Sequence, residues 1–495
     1  MHMKPHHKRN RALLAAAFLT ASLTTTYAGD TIAKPAAEKP PENNPLSFFG
    51  GAVVVDLQER LRLEGRENNF DFNDNVSAPT DDWWLLQRFR FGFLVKPASW
   101  LKFYVQGQDS QEIDSDREDI PGRLGAEGDD FIDLRQANVE IGDVKAFPLT
   151  LKLGRQLLSY GDERLIGAFE WNNIGRTFDA AKLHFEQKSW WVDAFASAVV
   201  VPRADSLNKS DLFDEDDVAT SETVFYGLYA STTAIPFQTT DFYALGLHTE
   251  QDTDTLPAAG IESHFGTVGM RIKSKPGAFA PTPASEGLSK DGKTMAPPPA
   301  PKPVGLDYDA EFAYQFGEVR GLDLSAFAVH AGLGYTFDTA WKPRLGVEYN
   351  YGSGDSDPTD GDIETFQNLF PTNHKFYGIM DLTAWQNMQH AAAELKVQPC
   401  KTVTAQLGYR AFFIASTDDV WYRANGTTAV RPLTPAARAA GSYEGCQAEL
   451  VLTWNVKKWL QIQGGYAHFF AGDYLADTGA SDDADFGYVQ AMLTF

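Results

Sequence analysis

Basic residues and long apolar runs are both scarce in this sequence, and each shortage excludes a class of protein. The 43 Lys and Arg residues are outnumbered by 66 Asp and Glu, which gives a formal net charge of −23. Nucleic acid is therefore not an expected partner, because binding it needs a basic surface. After residue 28 no stretch approaches the roughly 18 consecutive apolar residues of a membrane-spanning helix, so none is predicted.

Recognisable catalytic and metal-binding motifs are also missing. The sequence has neither Gly-x-Ser-x-Gly nor a phosphate-binding glycine loop, and no His-x3-His or Cys-x2-Cys spacing. The histidines considered as candidate ligands lie scattered: His184, His248, His330, His390 and His468. No catalytic residue, metal or cofactor is predicted. The segment YGSGDSD at 351–357 resembles a calcium loop, but such acidic loops are commonly only solvated, so calcium binding at 353–357 stays open.

The first 28 residues have the features of a secretory signal peptide. A basic start with Lys4 and Lys8 precedes an apolar run at 12–23, and small residues up to Ala28 offer a cleavage site. Residues 29–48, rich in Pro, Glu and Lys, are predicted to be a disordered N-terminal segment. A secreted chain without a spanning helix is either soluble or a β-barrel, and alternation rather than hydropathy identifies a barrel.

Alternation of apolar and polar residues is what the remaining chain has in abundance. Residues 308–316 place every second side chain on one apolar face, and residues 51–63 repeat the pattern. Residues 483–495 also alternate and end on Phe495, which suits the closing strand of an outer-membrane barrel. The tally is about eighteen strands of about ten residues, the length that a tilted strand needs to cross a bilayer.

Connection lengths follow a second pattern, in which short turns alternate with long polar connections. This is typical of barrels with short periplasmic turns and long extracellular loops. Two connections break the rule, because residues 275–303 are long where a turn is expected and residues 318–320 are short where an outer loop is expected. The sequence predicts one all-β domain, a transmembrane antiparallel barrel over residues 49–495, with 275–303 as a disordered, Pro-rich periplasmic loop.

Tryptophan and cysteine positions agree with this topology. Four tryptophans begin a strand just after a short turn, which predicts an aromatic girdle at one interface. They are Trp100, Trp190, Trp341 and Trp459. Cys400 falls at a periplasmic turn and Cys446 near the outer end of its strand. Since the apolar band would hold them more than about 20 Å apart, two free thiols are predicted.

A soluble β-sandwich or propeller also alternates and is the structural alternative. A sandwich rarely exceeds about 250 residues as one domain. A propeller repeats about every 40–50 residues, and no such repeat is apparent. The polar strand faces mix Gln, Arg, Glu, Tyr and Gly, as a water-filled lumen would, which favours the barrel.

Three stretches resemble the alginate-export family of outer-membrane proteins. In chain order the matching motifs are LGRQ at 153–156 with GDE at 161–163 and WNN at 171–173, then GRTFDA at 175–180, and finally YNYGSGD at 349–355, LFPT at 369–372 and Trp385. The resemblance implies an eighteen-stranded barrel that exports an anionic polysaccharide through a narrow arginine-lined pore. Arg135 and Arg155 match that role best. The acidic composition and the Pro-rich turn depart from the family, so substrate identity does not carry over.

Arginines that alternate toward the predicted lumen are the candidate solute-binding residues. They are Arg60, Arg62, Arg88, Arg90, Arg344 and Arg410. The planar, permanently charged guanidinium pairs with carboxylate or phosphate, and rings of such cations are typical of anion pores. The alternative is that these arginines pair with lumen acids such as Asp56, Glu348 and Glu394 and only brace the wall.

Arg135, Arg155 and Arg176 complete the candidate pore-lining set. Strict alternation places Arg135 and Arg155 on the lipid-facing side, where an arginine at the midplane would cost about 2–4 kcal/mol. A β-bulge at Gly154 would turn Arg155 inward. Arg135 would need an interface position or a local change of register.

The sequence therefore predicts a channel in the outer membrane of a Gram-negative-type bacterium, not an enzyme. We expect it to pass a polar, anionic saccharide or polysaccharide, with the pore narrowed by inward-folded outer loops at 157–177 and 353–386. Expected partners are outer-membrane lipid, an anionic or neutral saccharide solute and periplasmic export components. The alternatives are a general small-solute porin, a structural barrel with a plugged lumen and, with less support, a barrel enzyme.

Overall fold

The computed structural model describes most of the chain after residue 45. The described ranges are residues 46–75, 80–115, 128–203, 207–210, 221–251, 262–275, 277–279 and 304–495. The predicted signal peptide at 1–28 lies outside them, as do most of the N-terminal segment at 29–48 and most of the Pro-rich loop at 275–303. The last residues of that N-terminal segment, Ser47 and Phe48, form a short strand beside Val53 and Val54.

Eighteen long strands form one sheet in which each strand pairs antiparallel with its chain neighbours. They are β1 (Val53–Glu67), β2 (Asp82–Ala98), β3 (Leu101–Ile113), β4 (Asp130–Ile141), β5 (Leu149–Gln156), β6 (Phe178–Glu186), β7 (Trp190–Val201), β8 (Ser221–Thr232), β9 (Gln238–Gln251), β10 (Ser263–Ser274), β11 (Gly305–Val319), β12 (Leu322–Thr336), β13 (Arg344–Gly352), β14 (Met388–Cys400), β15 (Val403–Ile414), β16 (Tyr443–Lys457), β17 (Leu460–Ala471) and β18 (Ala484–Thr494). The last strand pairs with the first over residues 485–494 and 58–67. The sheet closes on itself, so the predicted barrel is confirmed.

Short elements lie in the connections at the barrel ends. Two further two-residue strands are Lys209–Ser210 and Asp362–Ile363. The helical pieces are α1 (Pro435–Ala439), α2 (Asp473–Thr478) and the 3-10 turns Phe49–Gly51 and Asn373–Lys375. Within the described ranges no helix is long and apolar enough to cross a membrane.

Alternation sends apolar side chains outward and polar ones into the barrel. In β1, Leu61 and Leu63 are 42% and 41% exposed, whereas Arg60 and Arg62 between them are 2% and 0% exposed. This is the reverse of a soluble sheet, which buries its apolar face. An apolar outer wall with a polar interior is the arrangement of a barrel that crosses a bilayer.

One rim of the barrel carries the predicted aromatic girdle. Trp100, Trp190, Trp341 and Trp459 are all strongly exposed beside their short turns. The ring of Phe495 stacks on Trp459 with centroids 5.8 Å apart, and the backbone of Phe495 pairs with Leu57 of β1. The terminal residue thus completes the closure of the barrel. Cys400 and Cys446 lie near opposite ends of their strands and both are free thiols, as predicted.

Two long connections fold into the barrel rather than away from it. We call residues 157–177 the first lumen loop and residues 353–386 the second lumen loop. Side chains from both are almost completely buried, among them Ile166, Phe366 and Trp385. The contacts of these two loops build the site described next, and the narrowing of a pore by them stays a prediction.

Candidate functional site

Strand register brings four of the predicted arginines together on the inner wall. Arg60 of β1 lies directly opposite Arg88 of β2, and Arg90 lies opposite Gln58. Arg62 follows Arg60 on the same face. All four side chains are buried. Like charges directly opposite each other destabilise a sheet, so this wall needs a negatively charged or hydrogen-bond-accepting partner.

The tip of the first lumen loop supplies that partner through its backbone. Arg60 donates to the carbonyl oxygens of Glu170 and Trp171 at 2.8 and 3.0 Å. Arg62 donates to the Trp171 carbonyl at 2.7 Å, and Arg88 donates to the Glu170 carbonyl at 3.1 Å. The loop is therefore held against the wall by carbonyl groups that accept from several guanidinium groups at once.

The carboxylate of Glu170 is the charged centre of this contact. One of its oxygens lies 2.6 Å from Arg90 Nη1 and 3.4 Å from Arg88 Nη2. The other oxygen pairs with Arg135. We call Arg60, Arg62, Arg88, Arg90 and Arg135 the arginine cluster. The Glu170 side chain remains 41% exposed, so the pairing site is open to water on one side.

Arg135 reaches this cluster because β4 carries a bulge. Its neighbours Leu134 and Gln136 pair with Gly107 and Gln106 of β3, and Arg135 itself is left out of the ladder. The guanidinium then points inward and also donates to the Ile174 carbonyl at 3.1 Å. The local change of register that strict alternation required for Arg135 is thus present.

The expected bulge at Gly154 is absent, and that part of the prediction is wrong. Gly154 has a positive φ of 107°, but β5 pairs with β4 and β6 without any shift of register there. Arg155 therefore keeps the orientation of strict alternation. It forms a two-bond pair with Asp179, its cross-strand neighbour, at 2.9 and 3.0 Å, and does not join the arginine cluster.

The electrostatics of Glu170 keep it ionised. Burial alone would raise the pKa of Glu170, but Arg135, Arg90 and Arg88 outweigh it and hold the pKa well below the usual glutamate range. A group whose pKa is lowered on folding stabilises the closed loop fully above its ordinary pKa, which is about 4.3. That stabilisation is lost only as the pH falls through the lowered value.

The lowered pKa of Glu170 leads to a prediction about the pH dependence of gating. We expect the frequency of single-channel gating events to stay constant between about pH 8 and about pH 5, because Glu170 remains charged throughout that interval. The measurement is a planar-bilayer recording at fixed salt. A step in gating frequency inside the interval would show that the ion pairs of Glu170 do not hold the loop.

A stack of rings continues the contact from the first lumen loop to the second. The Arg62 guanidinium lies 3.8 Å from the centroid of the Trp171 ring. The imidazole of His374 lies on Trp171 with centroids 3.7 Å apart and planes 8° apart. His374 is in turn fixed by Asp381 at 2.8 Å. Cation–π contacts of this kind add to the hold on the loop.

The two lumen loops are also joined by backbone pairing. Gly167 N donates to the Phe370 carbonyl at 2.7 Å, and Phe370 N donates to the Leu165 carbonyl at 2.8 Å. Arg176, predicted as pore-lining, spans the same junction and donates to the carbonyls of Gly167 and Pro371 at 3.1 and 3.0 Å. Its position ties the loops to each other.

Arg410 forms a second charged centre on β15. Its guanidinium lies 2.8 Å from Glu449 and 3.2 Å from Glu348, and also pairs with Glu394. It donates to the Phe376 carbonyl of the second lumen loop at 3.0 Å. The sequence left open the alternative that lumen arginines pair with lumen acids such as Glu348 and Glu394. Arg410 pairs in this way.

Arg344 lies apart from both centres, on the first residue of β13. It pairs with Asp307 through two bonds at 2.9 and 2.6 Å, and both side chains are partly exposed. Asp56 was the third acid considered as a partner of the lumen arginines. It accepts hydrogen bonds from Tyr104 at 3.1 Å and from Gln106 at 3.4 Å. Neither residue contacts the arginine cluster.

Sequence reasoning missed the residues that the loops bring inside. Glu170 and Arg164 lie outside any strand, so alternation could not place them. Arg164 is buried and donates to Asn350 at 3.3 Å. Its guanidinium carbon lies 4.0 Å from the centroid of the Phe376 ring. The available signal for Glu170 was its position directly before the WNN motif of the family resemblance.

The acidic segment of the second lumen loop satisfies its own backbone. Asp355 accepts from the backbone N–H of Asp357 at 3.1 Å, and Asp357 accepts from that of Thr359 at 3.1 Å. Across the described ranges, no three His, Cys, Asp or Glu side chains are grouped to hold a metal ion. The carboxylates of this segment act as turn acceptors.

Comparison with known proteins gives the family. The sequence model of the alginate export family matches residues 55–489. No curated protein matches the sequence. Neither the family nor the similar solved structures points to an enzyme.

Three solved structures from Pseudomonas aeruginosa are similar in fold. OccK2 (OpdF) in complex with glucuronate has a TM-score of 0.57 at 12% identity, covering 90% of this chain and 98% of that one. OpdK with vanillate has a TM-score of 0.56 at 11% identity, covering 90% and 98%. OccD3 (OpdP) has a TM-score of 0.54 at 11% identity, covering 94% and 95%. The TM-scores show a shared barrel fold, and at such low identities the likeness shows the fold alone. The family match extends over most of the chain. The protein is an outer-membrane channel barrel that belongs to the alginate export family.

Proposed function

We propose that the channel passes a polar solute carrying a carboxylate, such as an anionic saccharide, past the arginine cluster. The observation that carries the proposal is the binding of one carboxylate, that of Glu170, by Arg88, Arg90 and Arg135. Guanidinium groups recognise a carboxylate by paired hydrogen bonds. A solute carboxylate would meet the same donors in the same geometry.

The charge balance of the cluster supports the same proposal. The arginine cluster has five cations, of which three contact the carboxylate of Glu170. Arg62 also pairs with Glu64 at 2.5 Å. The chain as a whole carries a formal charge of −23, so this excess of cations is local. A cationic constriction attracts anions and repels cations.

The partial exposure of Glu170 gives a route for exchange. Since its side chain is 41% exposed, a solute carboxylate can approach from the water-filled side and compete for the arginines. Passage would then be a sequence of exchanges between Glu170 and the solute, each weak enough to reverse. Two of the barrels similar in fold were solved with carboxylates, glucuronate and vanillate.

Ion selectivity tests this proposal. In a planar bilayer with a salt gradient we expect an anion-selective reversal potential, which moves toward zero in Arg88→Ala and Arg90→Ala because each removes a cation from the constriction. Arg438→Ala is the matched control, since Arg438 pairs with Asp418 in the connection after β15. A cation-selective channel that neither lumen variant alters would contradict the proposal.

A plugged structural barrel is the second candidate, because side chains of both lumen loops are buried inside the barrel. The same recordings distinguish the two. A plugged barrel would show no conductance steps in the native protein, nor in variants that detach the first lumen loop.

A further inference from the structure

A cavity of about 810 Å³ lies at the end of the barrel that carries the short turns. Its rim is formed by turn residues such as Ser99 and Asp143, together with the terminal Phe495, and Leu157 and Ser159 of the first lumen loop also line it. Arg90 lines the same cavity. The cavity therefore connects the periplasmic mouth to the arginine cluster.

A row of charged side chains crosses the wall of this cavity at one height. Lys102 of β3 is opposite Glu140 of β4, Glu140 is opposite Lys152 of β5, and Lys152 is opposite Lys182 of β6. All four side chains line the cavity. With neighbouring strands about 4.8 Å apart, the row extends over roughly 14 Å.

The two outer lysines are paired and the central one is not. Lys102 lies 2.6 Å from Glu140, and Lys182 lies 3.4 Å from Asp193. In the part of the chain that the structure describes, the Lys152 ammonium makes no hydrogen bond or ion pair, although it is half-buried. Lys152 and Lys182 also face each other directly, and like charges in that register destabilise a sheet unless something offsets them.

We propose that the row centred on Lys152 is a binding site for the carboxylate of a uronate-type saccharide. The inference rests on the proposed function and adds a periplasmic subsite to it. A carboxylate between Lys152 and Lys182 removes their repulsion and gives Lys152 its partner. The compact, flexible ammonium holds an anion as a point charge, which suits a site that must release its solute toward the next one.

The rest of the cavity fits the remainder of such a solute. Side-chain amides, which both donate and accept hydrogen bonds, come from Gln58, Gln106, Gln136 and Asn138. They supply partners for sugar hydroxyls. The Trp191 ring adds an apolar surface in the same wall. Since Gln58 also accepts from Arg88 at 3.0 Å, the amide row leads directly from Lys152 to the arginine cluster.

Titration calorimetry on the purified, detergent-solubilised full chain tests the site, with glucuronate as the probe and glucose as the neutral comparison. We expect Lys152→Gln to weaken glucuronate binding about tenfold, because one charge-assisted contact is lost, and to leave the glucose response unchanged. Lys152→Arg keeps the charge and should retain binding. Lys458→Gln, in an exposed turn after β16, is the matched control.

The outcomes separate this subsite from the proposed function. Equal glucuronate affinity in Lys152→Gln and in the native protein would overturn the subsite, as would no binding of glucuronate to the native protein. If the reversal potential is still anion-selective and still responds to Arg90→Ala, the channel proposal stands without the subsite. A cation-selective native channel would remove both. The heat-induced gel shift of a folded barrel confirms that each variant is folded.

Discussion

Glu170→Gln is expected to detach the first lumen loop from the arginine cluster and raise the open fraction of the channel roughly thirtyfold. The amide keeps the shape of the side chain but removes the charge that Arg88, Arg90 and Arg135 bind. Because water screens a side chain that is 41% exposed, we expect a loss of about 2 kcal/mol rather than the full value of a buried network. About 1.4 kcal/mol corresponds to a tenfold change.

Single-channel recording measures this effect as open probability and mean conductance. Glu163→Gln is the matched control, since Glu163 lies in the same loop and accepts a hydrogen bond from Ser159 at 2.5 Å instead of contacting the cluster. Equal open probability in the native protein and in Glu170→Gln would mean that the backbone contacts to Arg60 and Arg62 hold the loop without the carboxylate.

The outward face of the barrel could be predicted from the sequence because its cause is local. Side chains in a strand alternate with a period of two, so Leu61 and Leu63 on one face imply Arg60 and Arg62 on the other. Arg88 and Arg90 are likewise buried in the structure. A lipid-facing wall must be apolar all along each strand, so the pattern repeats for every strand. Each strand is predicted from its own residues, and a wrong prediction for one strand does not affect the others.

The positions of Arg135 and Arg155 show where this local reasoning ends. A bulge depends on how two strands are aligned, and that alignment is set over the whole pair rather than by one glycine. Gly154 has the unusual backbone angle, yet its strand stays in register. The bulge occurs instead at Arg135, next to residues whose composition gives no turn signal.

Glu170, the partner of the arginines, could not be predicted from the sequence for a related reason. Glu170 lies 80 residues from Arg90 in the chain, and a loop residue has no periodicity that fixes its direction. Only the closed barrel brings the two within hydrogen-bonding distance. The family resemblance marked the surrounding residues of the loop, but it assigned the role to Arg135 and Arg155. Of these two, Arg135 pairs with Glu170, whereas Arg155 pairs with Asp179.

The second charged centre carries the larger effect on stability. We expect Arg410→Met to lower the free energy of unfolding by about 3–5 kcal/mol, because removing one partner of a buried network leaves uncompensated charge. Arg410 and Glu449 are each only 4% exposed in their side chains, and Glu348 and Glu394 lose the same cation. Methionine fills a similar length of side chain, so the change in packing is small.

Arg344→Met is the matched control, with an arginine on the same face of a barrel strand. Its pair with Asp307 is 29% and 34% exposed in the two side chains, and such pairs contribute about 0–1 kcal/mol. Urea unfolding of both variants in lipid vesicles, followed by tryptophan fluorescence, measures the difference. Arg410→Lys should recover only part of the loss, since an ammonium cannot span three carboxylates with the fixed fork of a guanidinium. Equal unfolding midpoints for Arg410→Met and Arg344→Met would show that the three glutamates are solvated well enough to need no cation, and that the second lumen loop is held without Arg410.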